Sequence, residues 1–222
     1  MIVAEKKPMG DILDMVQGIE KLLVVGCGTC VTVCLAGGEK EVALTASALR
    51  LARSRNGETV SITELTIERQ CDWEFMDAIS DAIGECGAVL SLGCGAGVQA
   101  MAARFPETPV FPALNTKFLG ITEEQGIWTE RCMACGNCML DRTAAVCPVA
   151  RCAKSIMNGP CGGSQDGKCE IDQESDCAWQ LIYDRLEYLG RLRILEEIEP
   201  PRDWSTSRDG GPRKVERKDM ML

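Results

Sequence analysis

Lys21-Leu-Leu-Val-Val-Gly26 is an unbroken apolar run that leads directly into Gly26-Cys-Gly-Thr-Cys-Val-Thr-Val-Cys34. A short continuous apolar run of this kind is typical of a strand that is buried on both faces of a parallel sheet. Further strands are predicted at residues 59–63, 88–92 and 109–111. Segments with apolar side chains at helical spacing precede or separate these strands, at residues 9–20, 39–55, 72–83 and 98–105. The alternation predicts a Rossmann-like parallel α/β domain over residues 1–120.

Five cysteines of this domain follow predicted strands. The carboxyl ends of parallel strands lie at the same edge of a sheet, which is where such sheets bind ligands, so these thiols should lie close together. They are Cys27, Cys30 and Cys34 after the first strand, Cys71 after the second and Cys94 after the third. The C-x-x-C-x-x-x-C turn predicts one iron–sulfur cluster, held by its three thiolates and a fourth. Cys94 is the preferred fourth ligand because its Gly-rich loop lets backbone amides approach the cluster, and Cys71 is the alternative. Zinc, or small buried thiols without a metal, are the competing interpretations.

The Gly-rich turns of this domain do not predict a nucleotide site. Gly26-x-Gly28 lacks the remaining glycine of G-x-G-x-x-G, and Gly93-Cys-Gly-Ala-Gly97 does not fit that pattern either. A G-x-x-x-x-G-K-[ST] phosphate loop occurs nowhere in the chain.

Eight more cysteines fall within residues 121–177, a segment predicted to form a small ferredoxin-like domain. They are Cys132, Cys135, Cys138, Cys147, Cys152, Cys161, Cys169 and Cys177. Three cysteines at two-residue intervals followed by a distant Cys-Pro are typical of chains that hold [4Fe–4S] clusters. Eight thiolates suffice for two such clusters, so three are expected in the whole chain, with zinc at one site as an open alternative. The preferred division joins Cys177 to the first three cysteines and leaves the other four together.

Composition excludes several classes of function. The chain has 222 residues, fourteen cysteines and no histidine, which rules out His-based acid–base catalysis and Cys/His zinc fingers. A net charge of −9 argues against binding to nucleic acid. No apolar run is long enough for a membrane span, and the N-terminus does not resemble a secretory signal. A cytoplasmic protein is expected, in which dense cysteine indicates metal or redox work rather than disulfides.

Residues 178–222 are predicted to form an amphipathic helix and a partner-binding tail. A stripe of apolar residues continues to about Ile198, and it either packs internally or faces a partner. Pro200-Pro201 ends the helix, and the polar tail that follows predicts an extended arm that orders on a partner or stays disordered. Removing residues 200–222 should then weaken partner binding and leave the iron content unchanged.

Three motifs together resemble the methylenetetrahydrofolate reductase C-terminal family. They are Gly26-Cys-Gly-Thr-Cys-Val-Thr-Val-Cys34, Gly93-Cys-Gly-Ala-Gly-Val-Gln99 and Asn158-Gly-Pro-Cys-Gly-Gly163. Gly167-Lys-Cys-Glu170 and the tail residues Asp203, Trp204, Gly211, Pro212 and Arg213 extend the resemblance over nearly the whole chain. Free-standing members of this family are MetV-type small subunits of two-subunit reductases.

The resemblance implies an iron–sulfur electron-transfer subunit without a catalytic site of its own. Its partner would be a flavin-containing catalytic subunit that reduces methylenetetrahydrofolate to methyltetrahydrofolate in one-carbon metabolism, with further redox subunits or ferredoxin as other partners. Two alternatives stay open. One is a zinc-stabilised scaffold subunit of the same kind of complex, which carries no electrons. The other is a stand-alone enzyme that uses Cys94 or Cys71, although the chain has no histidine to activate a thiol.

Overall fold

The structure is a computed structural model that describes residues 1–220, and the chain separates into two units, Met1–Trp128 and Thr129–Leu222. The strands are β1 (Ile2–Lys6), β2 (Lys21–Cys27), β3 (Ser61–Ile67), β4 (Ala88–Ser91), β5 (Val110–Pro112), β6 (Leu114–Glu124) and β7 (Ile127–Cys132). The α-helices of the first unit are α1 (Met9–Met15), α2 (Cys30–Val33), α3 (Glu39–Arg55), α4 (Ser80–Glu85) and α5 (Gly95–Arg104).

A four-stranded parallel sheet forms the centre of the first unit, in the order β3-β2-β4-β5. β2 lies inside this sheet, with Val24 opposite Glu64 of β3 on one side and Leu90 of β4 on the other. Leu23, Val24 and Val25 are fully buried, because helices and the N-terminal strand cover both faces. The prediction of a parallel α/β domain is therefore confirmed.

The helices follow the predicted segments with shifted ends. α3 covers residues 39–55 as predicted, and its apolar face (Val42, Ala46 and Leu49) is buried. The segment predicted as one helix over 72–83 is instead a 3₁₀ helix at Trp73–Ile79 followed by α4. α1 ends at Met15, short of residue 20, and β3 begins two residues after the predicted start at 59.

A second, three-stranded sheet in the order β1-β6-β7 was not predicted. β1 pairs antiparallel with β6, and the terminal amino group of Met1 donates a hydrogen bond to the carbonyl of Gly120 at 2.9 Å. Residues 119–131, on either side of the predicted domain boundary at 120, lie mostly in β6 and β7. These strands carry many polar, solvent-exposed residues, so no apolar run marked them.

The second unit has little regular structure. It contains α6 (Pro148–Arg151), α7 (Ala178–Tyr188) and 3₁₀ turns at Leu192–Glu196, Trp204–Thr206, Arg208–Gly210 and Lys218–Met220. Its core consists of three buried residues on one face of α7 and two buried residues that precede the helix. These are Trp179, Ile182 and Leu186 on α7, with Ala144 and Val146 before it.

The predicted long helix to Ile198 is wrong, because α7 ends at Tyr188 and Gly190 follows it with a positive φ of 65°. The first half of the apolar stripe packs internally, whereas Ile198 is 84% exposed. None of the helices within residues 1–220 has the length and apolar character that crossing a bilayer requires.

Candidate metal sites

The carboxyl ends of β2 and β4 form one candidate site. The chain leaves β2 toward β3 on one side and leaves β4 toward β5 on the other, so these neighbouring strands flank the topological switch point. Crevices at such points are where α/β sheets bind ligands. Cys27 is the last residue of β2, and Cys94 immediately precedes α5. Both cysteines therefore lie at the carboxyl ends of the parallel strands, as the sequence predicted.

Cys71 shares the environment of Cys27 and Cys94. Partial burial raises the pKa of the Cys71 thiol, and the Cys94 and Cys27 thiols raise it further, because a neighbouring thiolate opposes ionisation. The Cys27 sulfur is nearly buried and lies 3.5 Å from Thr29 Oγ1. These three thiols are thus close enough to interact electrostatically.

Cys34 is buried against β1 and α2. Its thiol donates to the carbonyls of Ala4 in β1 and Val31 in α2, each at 3.6 Å. Burial raises the pKa of this thiol, and neighbouring Cys30 contributes in the same direction. The structure therefore associates Cys71, the alternative ligand, with Cys27 and Cys94, and it buries Cys34 against β1.

Gln70 is a structural residue of this edge that sequence reasoning missed. Its side chain is fully buried, donates to the Val25 carbonyl at 2.9 Å and accepts from the Ser91 hydroxyl at 2.6 Å. A Cβ at Gly97 would lie 2.8 Å from Gln70 Cβ, and one at Gly93 would overlap the amide oxygen. The glycines of this turn make room for a packed amide, and nothing in the sequence distinguished that amide from an exposed one.

Gln70→Leu is expected to lower the free energy of unfolding by about 1–3 kcal/mol, because it leaves buried partners without their hydrogen bonds. Urea denaturation of the full chain measures the loss. The matched control is Gln99→Leu, which removes an exposed amide that donates to the Gly95 carbonyl. Equal losses in the two variants would contradict the role given to Gln70.

Four cysteine residues are among those that line one small cavity of the second unit. They are Cys152, Cys161, Cys169 and Cys177, and Lys154, Glu170 and Trp179 complete much of the wall. This grouping differs from the predicted division, which joined Cys177 to Cys132, Cys135 and Cys138. Four separate segments supply the thiols, so spacing along the chain could not reveal that they converge.

Cys177 immediately precedes α7, and this position affects the pKa of its thiol. Burial alone raises the pKa of its thiol, but hydrogen bonds from the Ser164 hydroxyl and the backbone N–H groups of Gln180 and Trp179 outweigh that effect. The pKa is lowered overall. Metals bind the thiolate form of cysteine, so this side chain has the character of a ligand.

A charged pair adjoins the same cavity. The Cys161 thiol donates to Glu170 Oε2 at 3.2 Å, and the ammonium group of Lys154 forms an ion pair with the same carboxylate. The hydrogen bond with Glu170 raises the pKa of Lys154. The carboxylate therefore accepts a hydrogen bond from the Cys161 thiol while the ammonium group of Lys154 balances its charge.

The loop Cys132–Cys138 contains the remaining regularly spaced cysteines. Ala134 and Gly136 both have positive φ values, of 50° and 86°, and the Ala134 N–H donates to Cys132 Sγ at 3.3 Å. Further along the chain, Cys147 immediately precedes Pro148, the first residue of α6.

The donor chemistry fits thiolate-bound metals. All fourteen cysteines are free, and both candidate sites of the second unit contain hydrogen bonds to sulfur. Within the described residues, no three side chains of the metal-binding types stand together in a preformed coordination geometry. The described residues therefore supply the thiols that iron–sulfur clusters or zinc require, but these thiols are not arranged as a complete set of metal ligands.

The comparison with family models gives one match. Residues 111–205 match a model described as methylene-tetrahydrofolate reductase C terminal, which covers less than half of the chain but all eight cysteines from Cys132 to Cys177. No curated protein and no solved structure matched the chain. The motif Asn158–Gly163 lies within the matched segment, and the motifs at the sheet edge lie outside it. The match thus confirms the family that the motifs predicted: the segment 111–205 is related to the methylene-tetrahydrofolate reductase C-terminal family.

Proposed function

We propose that this chain is the iron–sulfur electron-transfer subunit of a methylenetetrahydrofolate reductase. It would pass electrons to the flavin of a partner catalytic subunit, which reduces methylenetetrahydrofolate to methyltetrahydrofolate. The observation that carries the proposal is the cavity lined by Cys152, Cys161, Cys169 and Cys177, which lies within the segment that matches the reductase family.

The residues around this cavity suit a bound anionic cluster. The amide and hydroxyl donors at Cys177 stabilise negative charge on sulfur, and Lys154 supplies a positive charge beside Cys161. Trp179 is 5% exposed and donates its indole N–H to the Ile156 carbonyl at 2.8 Å, so its ring forms a fixed apolar wall. When bound, a [4Fe–4S] cluster supplies one-electron transfer, and its potential depends on such hydrogen bonds and on solvent exposure.

Two further sites are part of the proposal. The loop Cys132–Cys138 offers three thiols, with Cys147 as the remaining cysteine of that unit. At the sheet edge the proposed ligands are Cys27, Cys30 and Cys34, with Cys94 as the fourth and Cys71 as its alternative. The electrostatic interaction of Cys71 with Cys94 and Cys27 supports keeping that alternative. The catalytic acid–base groups and the flavin would belong to the partner.

Anaerobic purification of the full chain tests the proposal. We expect brown protein with about twelve iron atoms and as many acid-labile sulfides per chain, which is the content of three cubane clusters. The visible absorption should bleach with dithionite, and reduced protein should reoxidise when the flavin-bearing partner is added. Negligible iron and sulfide in oxygen-protected protein would refute the proposal.

The second candidate is a zinc-stabilised scaffold subunit. The four thiols of the cavity come from separate segments and could close as a structural tetrahedron, which is how zinc holds small domains together. Colourless protein with stoichiometric zinc that binds the partner without reducing its flavin would support this candidate.

A further inference from the structure

The tail folds back onto a cysteine loop of its own unit. Residues 202–213, called the strap below, contact successive residues of the loop Cys132–Cys138. Arg213 Nη1 donates to the Ala134 carbonyl, and Thr206 Oγ1 donates to the Cys135 carbonyl at 3.0 Å. The sequence predicted an arm for a partner, whereas the structure places these residues against the chain's own thiols.

Arg202 makes the contact with sulfur itself. Its Nη2 donates to Cys135 Sγ at 2.9 Å and also to the Asn137 carbonyl. The guanidinium lies over the Trp204 ring, 5.3 Å from its centroid, and Nε is buried without a hydrogen-bond partner. An arginine fixed on two sides in this way is poorly placed to exchange its sulfur contact for water.

The loop is shaped to receive the strap. Gly136 has a φ of 86°, and a Cβ at this position would overlap the Thr206 carbonyl oxygen. Any other residue there would be strained in its backbone and would also push the strap away. The loop conformation and the close approach of Thr206 therefore depend on the same glycine.

We infer that the strap is a positioning element for the Cys132–Cys138 loop, and that Arg202 is the positioning residue for the Cys135 sulfur. A charged N–H donor stabilises a thiolate more than a neutral one does, because the hydrogen bond is charge-assisted. For a cluster held by this loop the same bond raises the reduction potential, and this part of the inference rests on the proposed function.

Hydrogen exchange of the loop tests the positioning role without reference to any metal. In the full chain, Arg202→Gln should increase amide exchange across residues 133–137, measured by mass spectrometry. The control is Arg208→Gln, which changes an exposed arginine of the same strap and should leave the loop protected. Gly136→Ala is a second variant that should also increase exchange, by displacing Thr206. Equal exchange in Arg202→Gln and Arg208→Gln would overturn the inference, whatever the protein binds.

Metal retention and potential test the role of the sulfur contact. With a chelator in excess, one class of bound metal should dissociate about 10–100-fold faster from Arg202→Gln, the usual effect of removing an outer-shell partner. Arg202→Lys keeps the charge and should recover part of that loss, which a purely structural role would not predict. In protein that contains iron, one reduction potential should also fall in Arg202→Gln. An unchanged rate of metal release together with an unchanged reduction potential would overturn the role given to the contact between Arg202 and the Cys135 sulfur. Zinc in place of iron would refute only the proposed function.

Discussion

Cys177→Ala should remove one metal site from the chain and weaken the fold of the second unit. The change deletes a thiol whose pKa three hydrogen bonds lower at the start of α7, so the cavity keeps only three of its four cysteine side chains. Metal binding and folding are coupled in small metal domains, and part of the stability of the unit should be lost with the metal. Metal content per chain, measured by mass spectrometry, and thermal unfolding followed by circular dichroism record the two effects.

Cys86→Ala is the matched control for this prediction. Cys86 is a partly buried cysteine of the first unit whose thiol donates to the Ile83 carbonyl at 3.3 Å. It lies outside every proposed ligand set, so its replacement should leave the metal content unchanged. Full metal content in Cys177→Ala would show that the four-thiol cavity is not a metal site.

Ile182→Ala should destabilise the second unit by about 2–5 kcal/mol, the range measured when large aliphatic side chains are removed from cores. Ile182 is fully buried in a core of only five buried residues, so few neighbours are available to fill the space it leaves. Denaturant unfolding followed by tryptophan fluorescence, to which Trp179 contributes, should show an earlier transition for this unit.

Tyr188→Ala provides the comparison on the same helix. Tyr188 is 90% exposed at the end of α7, so its removal should change the unfolding free energy by no more than about 0.5 kcal/mol. If Ile182→Ala were as mild as Tyr188→Ala, the α7 face would not be the core of this unit.

The parallel sheet could be predicted because its strands are buried on both faces. Leu22 to Val25 and Ala88 to Leu90 are almost wholly inaccessible, and such strands appear in a sequence as apolar runs. β6 and β7 could not be found in this way. Their faces are only partly covered, and their exposed positions carry polar residues that also occur in loops.

The cysteines could be identified from the sequence, but their grouping could not. Cys34 illustrates the reason: its place at the end of α2 turns its thiol toward Ala4, on the strand β1 that the sequence did not reveal. Cys177 illustrates it again, since the segments that bring it near Cys152 are irregular turns without a periodic pattern. Spacing fixes which thiols share one turn, and tertiary packing decides which turns meet.

The strap has a consequence for biosynthesis. Arg202 follows Cys135 by 67 residues, which at ordinary ribosomal rates of about 5–20 residues per second corresponds to a delay of roughly 3–13 seconds. During that interval the nascent loop has its thiols but not the arginine that later covers one of them. Maturation factors that load such thiols would meet the loop on the translating ribosome before Arg202 emerges.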